Sequence, residues 1–173
     1  MKFKLNKEQL QYALELAIMR HDAKHVSFRN KDTKKFINES KAKLTEKMKV
    51  DFQYMAHFLG VIGELGYSLA TGEAVDEEIY AVRDGGEDFK GVEVKTITYM
   101  GKGEPELKIP VREYEERKAP KRYALVRYDL NRSEVDVLGT ITRKSFDKFK
   151  KKKKYGAGKP LNYIVPLSVM KKM

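Results

Sequence analysis

Cysteine is absent from all 173 residues, and tryptophan is absent with it. Without cysteine there are no disulfides and no cysteine–zinc sites, and an intracellular location is the default expectation. No apolar run approaches the roughly 20 residues that span a bilayer. The opening MKFKLNKEQLQYALEL has no uninterrupted apolar stretch of the kind a signal peptide needs, so no membrane partner is expected. Proline and glycine are missing from residues 1–59, so nothing there interrupts helix. Acidic residues are in short supply against basic ones, 25 against 36, and the net charge is +11. An excess of that size favours a polyanionic partner, because each Lys or Arg set against a phosphate releases a condensed counterion.

What is present is a chain long enough for one domain with a substantial core, 41% hydrophobic and 35% charged, hence with a heavily charged surface. Residues 1–50 are polar and helix-prone and read as an N-terminal helical arm or subdomain. Leu5, Leu10, Leu14, Ala17 and Ile18 recur at helical spacing, which predicts a helix over about 7–20, and a second helix is expected over 38–49. Residues 51–173 read as the main domain. It opens with the strongest helix, 50–70, whose core face is expected at Phe52, Met55, Leu59, Ile62 and Leu69 and whose end is marked by Thr71-Gly72. Short β-branched stretches follow: EIYAVRD, EDF, VEVKTITYM and PELKIPV. Pro110 then opens a short helix. RYALVRYDL and EVDVLGTIT are strands around a turn at 131–133, SFDKFKKKKKYG is a basic helix or loop, and NYIVPLSVM is a final extended segment. The order predicts an α/β fold, a mixed sheet flanked by helices.

Within GGEDFKGVEVKTIT, a two-residue turn at Lys90-Gly91 pairs Phe89 with Val92 and sets Asp88 opposite Glu93. Lys95, two residues further on, projects from the same face. Phe89, Val92 and Val94 fall on the other face, where they suit a core. Two carboxylates so placed offer hard oxygen ligands to one Mg²⁺ or Mn²⁺. Such an ion lowers the pKa of a bound water and offsets charge on a phosphate oxygen. Lys95 is then available to orient or deprotonate the water, or to stabilise a pentacovalent transition state. Upstream, Glu64 sits among Gly60, Gly63 and Gly66. Glycines cost a helix about 1 kcal/mol each against alanine, so a close approach to the hairpin that aims Glu64 at the metal is expected.

This arrangement resembles the PD-(D/E)XK nuclease superfamily: a G-E-L-G helix with Glu64, then Asp88 in a hairpin, then Glu93-Val94-Lys95 on a strand. The layout is most similar to the phage exonuclease and Holliday-junction resolvase branches, and the resemblance covers about residues 55–130. It implies a restriction-endonuclease-like α-β-β-β-α-β core. It also implies metal ligation by Asp88, Glu93 and the Val94 carbonyl, a catalytic Lys95, and a Glu64 that holds a second metal or a metal-bound water. Lys108 and Arg112, beside the helix after the third strand, are where the family places contacts to substrate phosphate. Glu87 stands before Asp88 where the superfamily commonly has proline.

Lys150, Lys151, Lys152, Lys153 and Lys154 read as a backbone-phosphate patch or as a solvated loop. Lys102, in Gly101-Lys102-Gly103, is a rim residue or part of a simple turn. His21 and His25 are too few ligands for zinc, and His57 reads as a core or boundary histidine. The expectation is a Mg²⁺-dependent DNA endonuclease, with RNA left open and a homodimer implied by analogy. The alternatives are a nucleic-acid-binding protein without its own catalysis and a basic structural or virion-associated protein.

Overall fold

The computed structural model describes residues 1–25, 54–79, 87–98 and 103–173. The expected helix over 38–49, the strand in EIYAVRD from residue 80 on, and the loop carrying Lys102 lie outside the described residues. In chain order the elements are β1 (Lys2–Lys4), α1 (Lys7–His25), α2 (Met55–Thr71), β2 (Val92–Thr98), β3 (Glu106–Pro110), α3 (Val111–Glu116), β4 (Arg122–Asp129), β5 (Glu134–Thr142), α4 (Arg143–Phe149), β6 (Lys151–Lys154), β7 (Leu161–Pro166) and a 3₁₀ turn (Leu167–Val169). The fold is mixed α/β. Among the described residues no helix is long and apolar enough to cross a membrane.

One mixed sheet was the expectation, and the structure has two. A four-stranded sheet runs β1-β5-β4-β2, and a three-stranded sheet runs β3-β7-β6. In the first, β2 and β4 are parallel and the other pairs antiparallel. Strand β4 is the pivot. Its residues 123–126 are all buried, because alternate side chains serve two cores. Ala124 and Val126 face Leu16, Phe58, Val61 and Ile62 from the first two helices. Tyr123 and Leu125 face Leu107, Ile109, Phe146 and Val165 on the other side. Strand β3 therefore leaves the first sheet, since Leu107 and Ile109 have their apolar partners in this second core.

Of the N-terminal residues, 1–25 are described, and they pack on the rest of the chain. β1 pairs with β5, and Leu5, Ala13, Leu16 and Ala17 share the core of the 51–173 region. Three residues give no readable period, so β1 carried no signal in the sequence. Helix α1 begins with a reciprocal cap: Asn6 Oδ1 accepts the Gln9 N–H at 2.8 Å, and Gln9 Oε1 accepts the Asn6 N–H at 2.9 Å.

Helix α2 ends at Gly72, whose positive φ of 78° lets its N–H reach the Ser68 carbonyl at 2.7 Å. Its buried face is Phe58, Val61, Ile62 and Tyr67, rotated from the expected one, and Leu69 is 39% exposed. The glycines explain the rotation. A Cβ on Gly63 would sit 1.9 Å from Thr96 Oγ1, and one on Gly66 would sit 3.1 Å from Val135. The helix thus turns Gly63 and Gly66 to the sheet together with Phe58, Val61 and Ile62, and leaves Leu69 outside.

The lysine run is a further correction. The helix ends at Phe149, and Lys151–Lys154 form β6, antiparallel to β7. An extended strand sends successive lysines to opposite faces, whereas a helix would crowd them.

The packing separates the glycines of α2. Gly63→Ala should destabilise the fold by about 1–3 kcal/mol through overpacking. Gly60→Ala, which meets nothing within 4 Å, should stabilise it by about 0.5–1 kcal/mol. Urea melts of the two variants check the contrast.

Candidate active site

The Lys90-Gly91 turn forms as expected. Phe89 and Val92 pair across it, with Val92 N–H donating to the Phe89 carbonyl at 2.9 Å. Gly91 supplies the positive φ, 76°. The pairing then departs from a simple ladder. Both the Asp88 and the Phe89 N–H groups donate to the Val92 carbonyl, at 2.9 and 3.1 Å, the two-against-one pattern of a β-bulge. The Asp88 side chain takes up the next bond, its Oδ2 accepting the Val94 N–H at 2.7 Å. The carboxylate is thereby pinned to β2 beside Glu93.

Along β2 the alternation sorts as expected. Val92 and Val94 are buried in the core with Phe89. Glu93 and Lys95 take the opposite face, with Lys95 Nζ 2.7 Å from Glu93 Oε1. Lys95 also donates to Glu113 Oε1 from the first turn of α3. Arg117, just past that helix, lies 3.6 Å from Glu113 and 3.9 Å from Glu93.

Glu64 is buried on α2. Its two oxygens accept from Arg20 of α1, at 2.7 and 2.9 Å. A cavity of about 410 Å³ is lined by Glu64, Asp88, Glu93, Lys95 and the Val94 segment. Arg20, His57, Gly60 and Arg117 complete much of its wall. The four predicted catalytic residues thus share one cavity.

The electrostatics follow from burial. The Asp88 carboxyl is pushed up to about 7, first by loss of solvent and then by the charge of Glu64, with Glu93 adding to it; the Val94 N–H and Lys95 pull the other way. Glu93 is also raised by burial, against the pull of Lys95. For Glu113 burial acts in the same direction, yet Lys95, the hydrogen bond with Glu93 and Arg117 together outweigh it and hold the carboxyl below its usual range. Burial disfavours the Lys95 ammonium, but Glu93 and Glu113 more than offset it, and its pKa is raised.

The proposed substrate contacts divide. Lys108 is exposed and lies over the Tyr155 ring, 4.2 Å from its centroid. Arg112 is 80% exposed and pairs with Glu116 at 3.0 Å. Neither lines the cavity; Arg117 does. Lys150 donates to Tyr114 at 3.0 Å and Asp147 at 2.5 Å, while Lys151 to Lys154 are exposed along β6. Sequence reasoning missed Arg20 and Glu113 as site residues. Each is joined to its partner across a long chain separation that no local pattern reports. Glu113 alone had a signal, as an acid in the first turn of the helix opened by Pro110. His57 lines the cavity, and its ring lies 5.5 Å from that of His21.

Among the described residues, no three His, Asp or Glu side chains converge tightly enough to form a ready-made metal cage. The donor chemistry nevertheless suits a hard cation: Asp88 engages Val94 through Oδ2 and has Oδ1 to offer, while Glu93 engages Lys95 through Oε1 and shares a hydrogen bond with Glu113. The mutually repelling carboxylates, Glu64 and Glu93 buried and Asp88 half-buried, are what a divalent ion would relieve.

A pH-dependent cost follows. The folded Asp88 titrates near 7 against 3.8 for an unperturbed aspartate. Below both values the group is neutral in either state and costs nothing. Between them the unfolded chain gives up a proton that the folded chain keeps, so stability falls by about 1.4 kcal/mol per pH unit. Above about 7 the loss is complete. Asp88→Asn, whose amide oxygen can still accept the Val94 N–H, should therefore gain stability relative to the natural chain as pH rises from about 4 to 7. Thermal melts of both proteins in EDTA across that range check it.

Neither protein-family models, nor curated proteins, nor solved structures yield a match to this chain.

Proposed function

We propose that the chain is a metal-dependent nuclease of the PD-(D/E)XK type that hydrolyses DNA phosphodiester bonds. The carrying observation is the convergence of Glu64, Asp88, Glu93 and Lys95 on one cavity, on the elements and in the order the resemblance requires. The parallel pairing of β2 with β4, with α3 between them in the chain, supports a restriction-endonuclease-like core. The displacement of β3 to the second sheet is its departure.

Asp88 and Glu93, with the Val94 carbonyl, would hold Mg²⁺ or Mn²⁺, which supplies a Lewis acid and a bound water of lowered pKa. Without a bound metal, two carboxylates favour the ammonium form of Lys95, which suits it poorly to take a proton from water. It acts instead as a fixed cation toward the oxygens of the phosphate as charge develops there. Glu93 and Glu113 hold its ammonium in place from two elements. Arg117 adds a second positive group at the cavity wall. Seven lysines and no acid occupy residues 148–159, and the exposed β6 lysines among them would track the sugar-phosphate backbone outside the cavity.

One observation favours a second reading, a nucleic-acid-binding protein without catalysis. Glu64 and Glu93 already have internal cations, Arg20 and Lys95, and so are satisfied without a metal.

Supercoiled, linear and branched DNA incubated with Mg²⁺, Mn²⁺ or EDTA separates the readings. The nuclease reading expects cutting only with metal, a loss of about a hundredfold or more in Lys95→Ala, and a comparable loss in Asp88→Asn. Cutting that persists in both variants would sink the site assignment, and binding without cutting on every substrate would favour the second reading. For the β6 surface, Lys151→Ala, Lys152→Ala and Lys154→Ala should each lower the slope of log affinity against log salt by about 0.9. Fluorescence-anisotropy titrations on duplex DNA measure that slope.

A further inference from the structure

Arg20 reaches from α1 across to α2 and closes on Glu64 with two parallel hydrogen bonds, 2.7 and 2.9 Å. Its Nη2 also donates to the Asp76 carbonyl at 2.6 Å, which fixes the fork from behind. The Glu64 side chain is 5% exposed and that of Arg20 18%. A bidentate guanidinium takes both carboxylate oxygens in their favoured directions. Glu64 therefore has less left to give a metal than Asp88, which engages Val94 through one oxygen.

The charge around the cavity points the same way. With every carboxylate ionised, the lining acids Glu64, Asp88 and Glu93 balance Arg20, Lys95 and Arg117, His57 aside, and Glu113 behind Lys95 adds one negative charge in surplus. One divalent ion turns that into one positive charge, the complement of a single phosphodiester. A second divalent ion would sit beside the Arg20 guanidinium, and in a desolvated site two cations so close repel strongly.

Resting on the nuclease reading, we propose that Arg20 stands in for a second metal ion. It holds Glu64 as an internal ion pair, and the site takes one divalent cation, at Asp88 and Glu93. Glu64 is then a residue that positions Arg20 in the cavity wall and not a metal ligand. This reverses the role that the resemblance implies for Glu64.

Calorimetric titration of the full chain with Mn²⁺, without nucleic acid, counts the ions. One ion per natural chain is expected, and two in Arg20→Ala, where Glu64 and Asp88 are left facing each other. Removing one partner of a buried pair can unfold a protein, so the charge-free pair Arg20→Met with Glu64→Gln is measured beside it. That double variant should still bind one ion, with affinity within about threefold of the natural chain, whereas losing a true ligand or its close support costs about tenfold or more. Two ions on the natural chain, one on Arg20→Ala, or a tenfold loss in the double variant would each overturn the proposal. Absence of any Mn²⁺ binding would overturn the nuclease reading itself and the proposal with it, a failure distinct from a wrong count.

Discussion

Helix α2 lies against β2 so closely that a single carbon added at Gly63 would run into Thr96. That contact sets the geometry around it. It draws the next residue, Glu64, out of solvent and over the end of the four-stranded sheet, where Asp88 and Glu93 are held by the hairpin and by β2. Three carboxylates gathered there, two of them buried and Asp88 half-buried, are unfavourable, since each loses hydration and two repel the third. The fold answers with cations brought from other elements: Arg20 from α1, Lys95 from β2 itself, and Arg117 from beyond α3. Without the close approach, Glu64 would sit in water and would call for no such partner.

The two faces of the sheet divide the labour. On one, α1 and α2 cover Ala124, Val126 and Val94 with aliphatic side chains. On the other, Glu93 and Lys95 lie beside the second core, and α3 meets them with Glu113. The six residues of α3 bridge both settings. Glu113 is bonded to Lys95, while its neighbour Tyr114 is buried among Phe146 and Tyr163 and bonded to Lys150 and Asp147. The ammonium at the cavity is thus anchored by a helix whose own position is fixed by aromatic packing.

Where a signal is local, the sequence carried it. The Lys90-Gly91 turn was legible because its pairing is decided by two residues, and the sorting of Val92 and Val94 from Glu93 and Lys95 because a strand alternates. Helix α2 was legible as a helix, but its facing was not. Hydrophobic bulk pointed to Leu69, and the sheet chose Gly63 and Gly66. The β-bulge at Asp88 left no trace either, because its carboxylate competes with a backbone group for the Val94 N–H, and that competition is settled only when the strands meet. The second sheet was hidden for a similar reason: PELKIPV reads equally well beside β2 or beside β7, and only the location of the second core decides. Arg20, far from Glu64 along the chain, was one basic residue among 36.

The lysines of β6 have a consequence apart from any ligand. Among the described residues this strand closes the three-stranded sheet on one side, with β7 as its neighbour in the strand order and all four of its residues exposed. The outer edge of a sheet carries unsatisfied amide and carbonyl groups that invite another chain to extend it. A strand approaching β6 would have to settle between ammonium groups that alternate above and below the sheet, Lys153 already paired with Glu106, and desolvate them as it docked. A second copy of this chain, presenting the same lysines, would be repelled most. The run of lysine thus disfavours extension of this edge by another strand.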